Sequence, residues 1–293
     1  MTLTKRGKLV VGAAVVAVAA LTGVAVLAFT GNAPAPLQRL VDTVAGRPTP
    51  CPLTGETLGG DRDAPERAAF AVKVENTHDA YPLSGLDRAD VVYEEPVEGG
   101  ITRFVAIFQC RDARRVGPVR SARTTDPKIL VQLHDEPLLA YSGAAQGVLR
   151  AVDAANIRSF TETSANDAFQ RDESRLAPHN LYVSVPRLYR AAEAVGADAS
   201  MPEALFTFDE DVPGGKRRGV ATVTFSAATT VVWEWSGQEW VRYLDGAPML
   251  LEDEQPIAAT NVVIQEVEVG TSGIVDASGA HSPTVDMTGS GRA

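Results

Sequence analysis

The predicted fold depends on residues 90–108, which read DVVYEEPVEGGITRFVAIF. β-Branched and aromatic residues cluster at Asp90–Tyr93 and again at Thr102–Phe108, and clusters of this kind between turn residues are typical of strands. Gly99-Gly100 lies between the two clusters and indicates a tight, hairpin-like turn. The stretch therefore predicts two strands joined by a short turn.

The same signals extend to both sides of this stretch. Further strands are predicted at Phe70–Val74 and Leu138–Tyr141. Helical stretches are predicted at about Thr125–Leu133, Ala145–Ala155 and Val185–Val195. Because strands and helices alternate along the chain, we expect an α/β or α+β domain over residues 53–198.

The remaining residues, 199–293, are predicted to form a smaller, mostly β domain. Its strand candidates are Ala221–Phe225, Thr230–Trp235, Trp240–Leu244 and Val262–Val269. The last residues, Met287–Ala293, read MTGSGRA and offer no closing strand or helix. We therefore expect this C-terminal domain to be frayed or truncated at its end.

The first 30 residues are predicted to direct the chain to a membrane. Lys5, Arg6 and Lys8 precede an uncharged run from Leu9 to Phe29. A run of this length is enough to cross a bilayer, and basic residues before it favour a cytoplasmic N-terminus with everything later outside. A signal peptide cleaved near residues 33–35, which read APA, is the alternative, and it predicts a secreted protein.

Residues 31–52 are rich in Pro, Ala, Gly and Thr and are interpreted as a tether. The only two cysteines, Cys51 and Cys110, both lie well beyond the apolar segment. In an oxidising compartment they are expected to form a disulfide, and two unrelated buried thiols are the alternative. With 27 basic residues against 37 acidic ones, nucleic acid is not an expected partner.

Five runs in order along the chain resemble those of a known family. They are Cys51–Gly55, Ser84–Glu94, Val97–Phe104, Gly117–Arg123 and Pro178–Tyr182. Together they resemble the YerB-like lipoproteins of the bacterial envelope, which are built on domain of unknown function 3048. The resemblance implies an α/β-type N-terminal domain, a smaller β-rich C-terminal domain and no established reaction. Relatives often carry a lipid-anchoring cysteine just after the signal, whereas Cys51 lies far downstream.

A ligand site is predicted around the run that reads GPVRSAR. Arg120 and Arg123 follow its Gly-Pro turn, and their guanidinium groups could grip one carboxylate or phosphate. Arg103, His179 and Asn180 complete the predicted site. Internal pairing of the arginines with nearby glutamates is the alternative, because buried arginine is normally paired.

Catalytic candidates are Glu94, Glu98 and His179. Two carboxylates facing each other across a sugar would suit glycan hydrolysis, and exposed loop charge is the alternative for the glutamates. Histidine serves as a base, a ligand or a hydrogen-bonded filler. No zinc-ligand spacing is present, so neither a metal site nor a cofactor is predicted.

These features predict a membrane-tethered protein of the cell envelope that binds or scaffolds. Its expected partner is a cell-wall polymer, another anionic envelope ligand or an envelope protein. The alternative is a hydrolase or transferase acting on cell-wall glycan, with Glu94 or Glu98 as acid or base and His179 assisting.

Overall fold

The computed structural model describes residues 48–59, 62–208, 218–276 and 278–287. The predicted membrane or signal helix and most of the predicted tether lie outside these residues. No helix among the described ones has both the length and the apolar character needed to span a bilayer. The chain divides into two units, Met1–Ala64 and Pro65–Ala293.

The described residues of the first unit form a short looped segment. Asp63 Oδ1 accepts a hydrogen bond of 2.7 Å from the backbone N–H of Thr49. The Thr49 carbonyl in turn accepts one of 2.9 Å from the N–H of Ala64. These two bonds hold both ends of the segment together.

The second unit begins with a five-stranded sheet in the order β2-β3-β1-β4-β5. Its strands are β1 (Phe70–Asn76), β2 (Val91–Pro96), β3 (Thr102–Phe108), β4 (Leu138–Ala140) and β5 (Arg158–Phe160). The first three pair antiparallel, whereas β4 runs parallel to both β1 and β5. A 3-10 turn, Glu98–Gly100, joins β2 to β3, and Gly99 and Gly100 both adopt positive φ there.

One face of this sheet builds the hydrophobic core. Alternate residues of β1 and β3 point into it, among them Phe70, Val72, Phe104 and Phe108. Each fully buried aromatic or branched side chain contributes roughly 2 kcal/mol of hydrophobic stabilisation. β1 and β3 are nevertheless buried on both faces, so a second layer covers the face that carries charge.

Three helices and a small hairpin complete this region. The helices are α1 (Asp126–Leu130), α2 (Gln146–Ala154) and α3 (Val185–Ala194), and the hairpin pairs β6 (Phe169–Arg171) with β7 (Leu181–Val183). Short 3-10 turns lie at His78–Ala80, Leu86–Arg88 and Asn166–Ala168. α3 buries Val185, Leu188 and Ala192, which share one face of the helix.

The C-terminal part of the unit is mostly β. One sheet has the order β11-β10-β9-β8, with β12 also paired to β10. Its strands are β8 (Val220–Thr224), β9 (Thr230–Trp235), β10 (Trp240–Leu244), β11 (Ala247–Pro248) and β12 (Ala258–Ala259). A separate hairpin pairs β13 (Glu268–Val275) with β14 (His281–Asp286). The predicted succession of a mixed α/β region and a β-rich region is confirmed.

One predicted strand is wrong. Val262–Val269 was expected to be a single strand, but residues 261–267 have no regular structure and β13 begins only at Glu268. Val263 and Ile264 are exposed. β-Branched residues favour strands because they pack against neighbouring strands, and no described strand pairs with this segment. The predicted domain boundary near Ala199 remains a prediction.

Candidate functional site

The face of the main sheet opposite the core carries a row of charges. In the strand register, Glu75 of β1 lies beside Arg103 of β3, which lies beside Glu95 of β2. Strand side chains alternate between faces, so these three project to the same side as Lys73. All four are buried. An otherwise apolar sheet thus presents a compact set of acids and bases.

Lys73 is the most deeply buried member of this set, with no exposed surface. Its ammonium group donates to Glu95 and, at 2.7 Å, to Oδ1 of Asp126 at the start of α1. Burial lowers the pKa of Lys73 to about 8, opposed by the charge of Asp126. Two carboxylates therefore share this one cation.

The loop that follows Gly117 places two arginines, Arg120 and Arg123, beside this row of charged residues. The Arg120 N–H donates to the Lys73 carbonyl at 2.9 Å, and Arg120 Nε lies 3.2 Å from Glu75 Oε1. Arg123 Nε donates to Glu98 Oε2 at 2.5 Å. Its backbone N–H donates to Asp126 Oδ2 at 2.6 Å. The loop is thus fixed to the sheet by both backbone and side-chain contacts.

Arg103 differs from its neighbours because it has no carboxylate partner within ion-pair distance among the described residues. Its guanidinium donates at 3.0 Å to the carbonyl of Ser121. Burial first, and then the positive charges of Arg123 and Arg120, lower the pKa of Arg103 to about 9. Three guanidinium groups therefore act on one another, and the central one is favoured in its charged form by Glu98 and Glu75 without an ion pair to either.

His179 joins the group from the loop before β7. Its Nδ1 lies 2.9 Å from Glu75 Oε2, so Glu75 is held by Arg120 on one oxygen and by His179 on the other. The side chains of His179 and Arg120 are 21% and 23% exposed, whereas that of Glu75 is 2% exposed. Solvent therefore reaches the cluster on the side of Arg120 and His179.

The remaining predicted residues lie apart from this row or are held by structural contacts. Glu94 projects to the other face of the sheet, where its carboxylate binds Arg242 at 2.8 Å. Glu98 accepts from Arg123 and from the hydroxyl of Ser282. The amide oxygen of Asn180 accepts from Arg171 at 2.9 Å. The structure thus brings together Arg103, Arg120, Arg123 and His179, and Glu98 at the edge of the cluster.

Two matches place the chain among known proteins. The family described as "Protein of unknown function (DUF3048) N-terminal domain" matches residues 53–198, and the corresponding C-terminal domain matches residues 221–293. The chain belongs to this family. The predicted resemblance to proteins built on domain of unknown function 3048 is thereby confirmed.

This DUF3048 protein is also similar to one curated relative and to one solved structure. It is 30% identical over 251 residues to the Bacillus subtilis (strain 168) protein named "Putative lipoprotein YerB", covering 82% of this chain and 73% of the relative. The crystal structure of YerB protein from Bacillus subtilis is similar, with a TM-score of 0.67 and 27% identity. That similarity covers 81% of this chain and 80% of the other.

Sequence reasoning missed three members of the DUF3048 protein's charge cluster: Lys73, Glu75 and Asp126. A usable signal existed for two of them. β1 reads FAVKVEN, in which Lys73 and Glu75 interrupt an apolar run at alternate positions and so share one face. Charges placed in this way within a strand indicate a buried polar face that must be paired.

Both cysteines of the DUF3048 protein, Cys51 and Cys110, are disulfide-bonded. The predicted disulfide is therefore present in the structure. Each cysteine is buried, at 3% and 8% exposure.

Proposed function

We propose that this protein is a membrane-tethered, extracytoplasmic binding protein that holds an anionic ligand of the cell envelope through Arg103, Arg120 and Arg123. The single observation that carries the proposal is Arg103, a buried guanidinium without a carboxylate partner among the described residues, close to two further guanidinium groups. A buried charge without a partner is costly, and a bound anion would offset that cost.

The pairing pattern within the cluster supports this proposal. Lys73 takes up two carboxylates, those of Glu95 and Asp126, while Glu75 and Glu98 pair with Arg120 and Arg123. The four bases and four carboxylates are equal in number, but Arg103 is the base that forms no ion pair with another described residue. Guanidinium forks match carboxylate and phosphate oxygens in a bidentate geometry, so a ligand with either group suits the site. It would approach where Arg120 and His179 are partly exposed.

The proposed location rests on three supports. The related Bacillus subtilis protein is named a lipoprotein, which suits attachment to a membrane on its outer side. The cysteines form a disulfide, a bond that persists in oxidising compartments outside the cytosol. The basic and apolar composition of residues 1–30 has the features of a membrane anchor or signal.

A second candidate function, glycan hydrolysis or transfer, is favoured by one contact. The 2.9 Å approach of His179 Nδ1 to Glu75 Oε2 is of the kind that orients a catalytic histidine. The carboxylate in this pair is Glu75, and neither Glu94 nor Glu98 occupies that position. Since Arg120 also binds Glu75, the pair equally serves to hold the arginine loop.

The binding proposal is tested by calorimetry on the full-length protein in a non-ionic detergent, titrated with defined peptidoglycan fragments. Arg120→Gln removes one partly exposed guanidinium, and we expect it to weaken binding about tenfold to a hundredfold. Arg150→Gln is the matched control, since it removes the same charge from the exposed surface of α2. Equal affinities of wild type and Arg120→Gln would contradict the proposal.

The same samples decide between binding and catalysis when product masses are followed. Binding without turnover supports the proposed function. Turnover that His179→Gln abolishes would favour the hydrolase or transferase instead, and Glu98→Gln tests the predicted acid or base in parallel. If the wild-type protein neither binds nor converts the fragments, they are not its ligand and the site serves another anion or an envelope protein.

A further inference from the structure

A second concentration of positive charge lies in a groove between α3, β7 and the residues just before Val116. The groove has a volume of about 410 Å³, and four arginines line it, namely Arg114, Arg115, Arg187 and Arg190. None of the described residues that line it is an aspartate or glutamate. The whole chain carries a net charge of −10, so this local excess of positive charge runs against the average of the protein.

Three of these four arginines keep their charge uncompensated. Arg114 and Arg190 are exposed, and their side chains form no ion pair or hydrogen bond with another described residue. The side chain of Arg187 donates only to the carbonyl of Asp167, at 2.9 Å. On α3, Arg187 and Arg190 are three residues apart and therefore lie on the same face of the helix. Like charges held together in this way repel one another unless an anion lies between them.

The fourth arginine, Arg115, is fixed in position by its neighbours. Arg115 is bound to Asp172 at 2.6 Å and to Glu252 at 2.8 Å. Its guanidinium also lies 3.4 Å from the centroid of the Tyr182 ring. Arg115 is thus held in place by three contacts, and this fixes one side of the groove while the other three arginines remain available.

We propose that this groove is a second anion site, for a ligand that carries two or more phosphate or carboxylate groups. Three free guanidinium groups exceed what one monovalent anion needs, and the volume is in the range of ligand pockets rather than of a single ion. The partly exposed side chain of Pro186 adds apolar surface for the carbon skeleton of the ligand. The inference does not rest on the Arg103 cluster, because the two sites share no residue.

The test uses the full-length protein in a non-ionic detergent at low ionic strength, with two probes titrated by calorimetry. Tripolyphosphate presents linked phosphates and citrate presents three carboxylates. We expect saturable binding of at least one probe. The double variant Arg187→Gln/Arg190→Gln should weaken it by about a hundredfold, since each lost charge-assisted contact is worth about tenfold or more. The probe that binds more tightly identifies the anionic group.

Two controls make the result decisive. Arg62→Gln/Arg150→Gln removes two exposed arginines that do not line the groove and should leave affinity within about twofold of wild type, as expected for remote surface changes. Arg120→Gln should leave the groove component intact. The proposal is overturned if neither probe binds, if the groove and control variants lose affinity equally, or if Arg120→Gln alone removes all binding. Unchanged thermal unfolding of the groove variant, whose two arginines are exposed, shows that folding is preserved.

Discussion

Arg242 of β10 grips the carboxylate of Glu94 of β2 with two hydrogen bonds, Nη2 to Oε1 at 2.8 Å and Nε to Oε2 at 3.3 Å. Arg242 has no exposed surface and Glu94 is 12% exposed. Glu94 also accepts from Thr102 at 2.7 Å and from Asn76 at 3.1 Å. The pair therefore links the β-rich sheet to the main sheet and satisfies every side of the carboxylate.

Arg242→Met should destabilise the protein by about 3–5 kcal/mol, because it leaves the Glu94 carboxylate buried without its cation. The double variant Glu94→Gln/Arg242→Met should lose less stability than the two single variants combined, because neither charge is then left without its partner. Urea unfolding at neutral pH measures both. Glu234→Gln, an exposed change on β9, is the control and should shift stability by less than about 0.5 kcal/mol. A loss below about 1 kcal/mol for Arg242→Met would show that the pair does not hold the sheets.

The strands that could be predicted are the ones whose own residues carry a local signal. Thr102–Phe108 and Thr230–Trp235 occur as expected because β-branched and aromatic residues cluster in each of them between turn residues. β5, β6 and β7 were missed, and each is three residues long. Three residues are too few to show a period of two. β4 is equally short and was predicted only because it lies in the apolar run Leu138–Tyr141, whereas β5 and β6 carry polar residues and are defined by their pairing partners.

The candidate site shows the same division between local and long-range information. The spacing of Arg120 and Arg123 within one loop is local, and the structure does bring both beside Arg103. The partner of Glu94 is Arg242, 148 residues further along the chain, and nothing near either residue indicates the other. Residues whose role depends on such a distant partner cannot be assigned from the sequence of one chain.

Removal of the disulfide should lower the stability of the protein by about 4 kcal/mol, because the bond closes a loop of about 60 residues in the unfolded chain. Cys51→Ser/Cys110→Ser and reductant-treated wild type should unfold at the same lower urea concentration. Reductant should have no effect on the double variant, which controls for its other actions. Equal midpoints for oxidised and reduced wild type would contradict the prediction.

Asp172 should make stability depend on pH in the acid range. Hydrogen bonds from the side chain and backbone of Ser174, and then Arg115, lower the pKa of Asp172 from 3.8 to about 2. Because its pKa is lower in the folded state, its stabilising contribution is complete above pH 3.8 and is lost as pH falls through about 2. Asp172→Asn should therefore be less stable than wild type at pH 6, and the difference should shrink towards pH 2, as measured by urea unfolding.

The control for this prediction is Asp167→Asn, whose side chain forms no hydrogen bond or ion pair with another described residue. Its stability relative to wild type should not change over the same pH range. A difference between Asp172→Asn and wild type that stays constant with pH would mean that the contacts of Asp172 do not favour its charged form.

Gly117→Ala should destabilise the protein by about 3 kcal/mol, because a Cβ at this position has no room. The Cβ would lie 2.8 Å from the Leu181 carbonyl oxygen and 2.9 Å from the Val119 nitrogen. Both are backbone atoms, which cannot move away by a side-chain rotation. The φ of Gly117 is +149°, which adds strain for any L-residue. Urea unfolding gives the loss in stability.

Gly196→Ala gives the cost of an ordinary left-handed φ without a close contact. Gly196 has a φ of +64° but nothing within 4 Å of its added Cβ, so it bears only the cost of conformation, about 1 kcal/mol. Equal losses for both variants would show that the close approach at Gly117 is not what matters. Since Arg120 is placed three residues later by its bond to the Lys73 carbonyl, Gly117→Ala should also weaken anion binding at the Arg103 cluster.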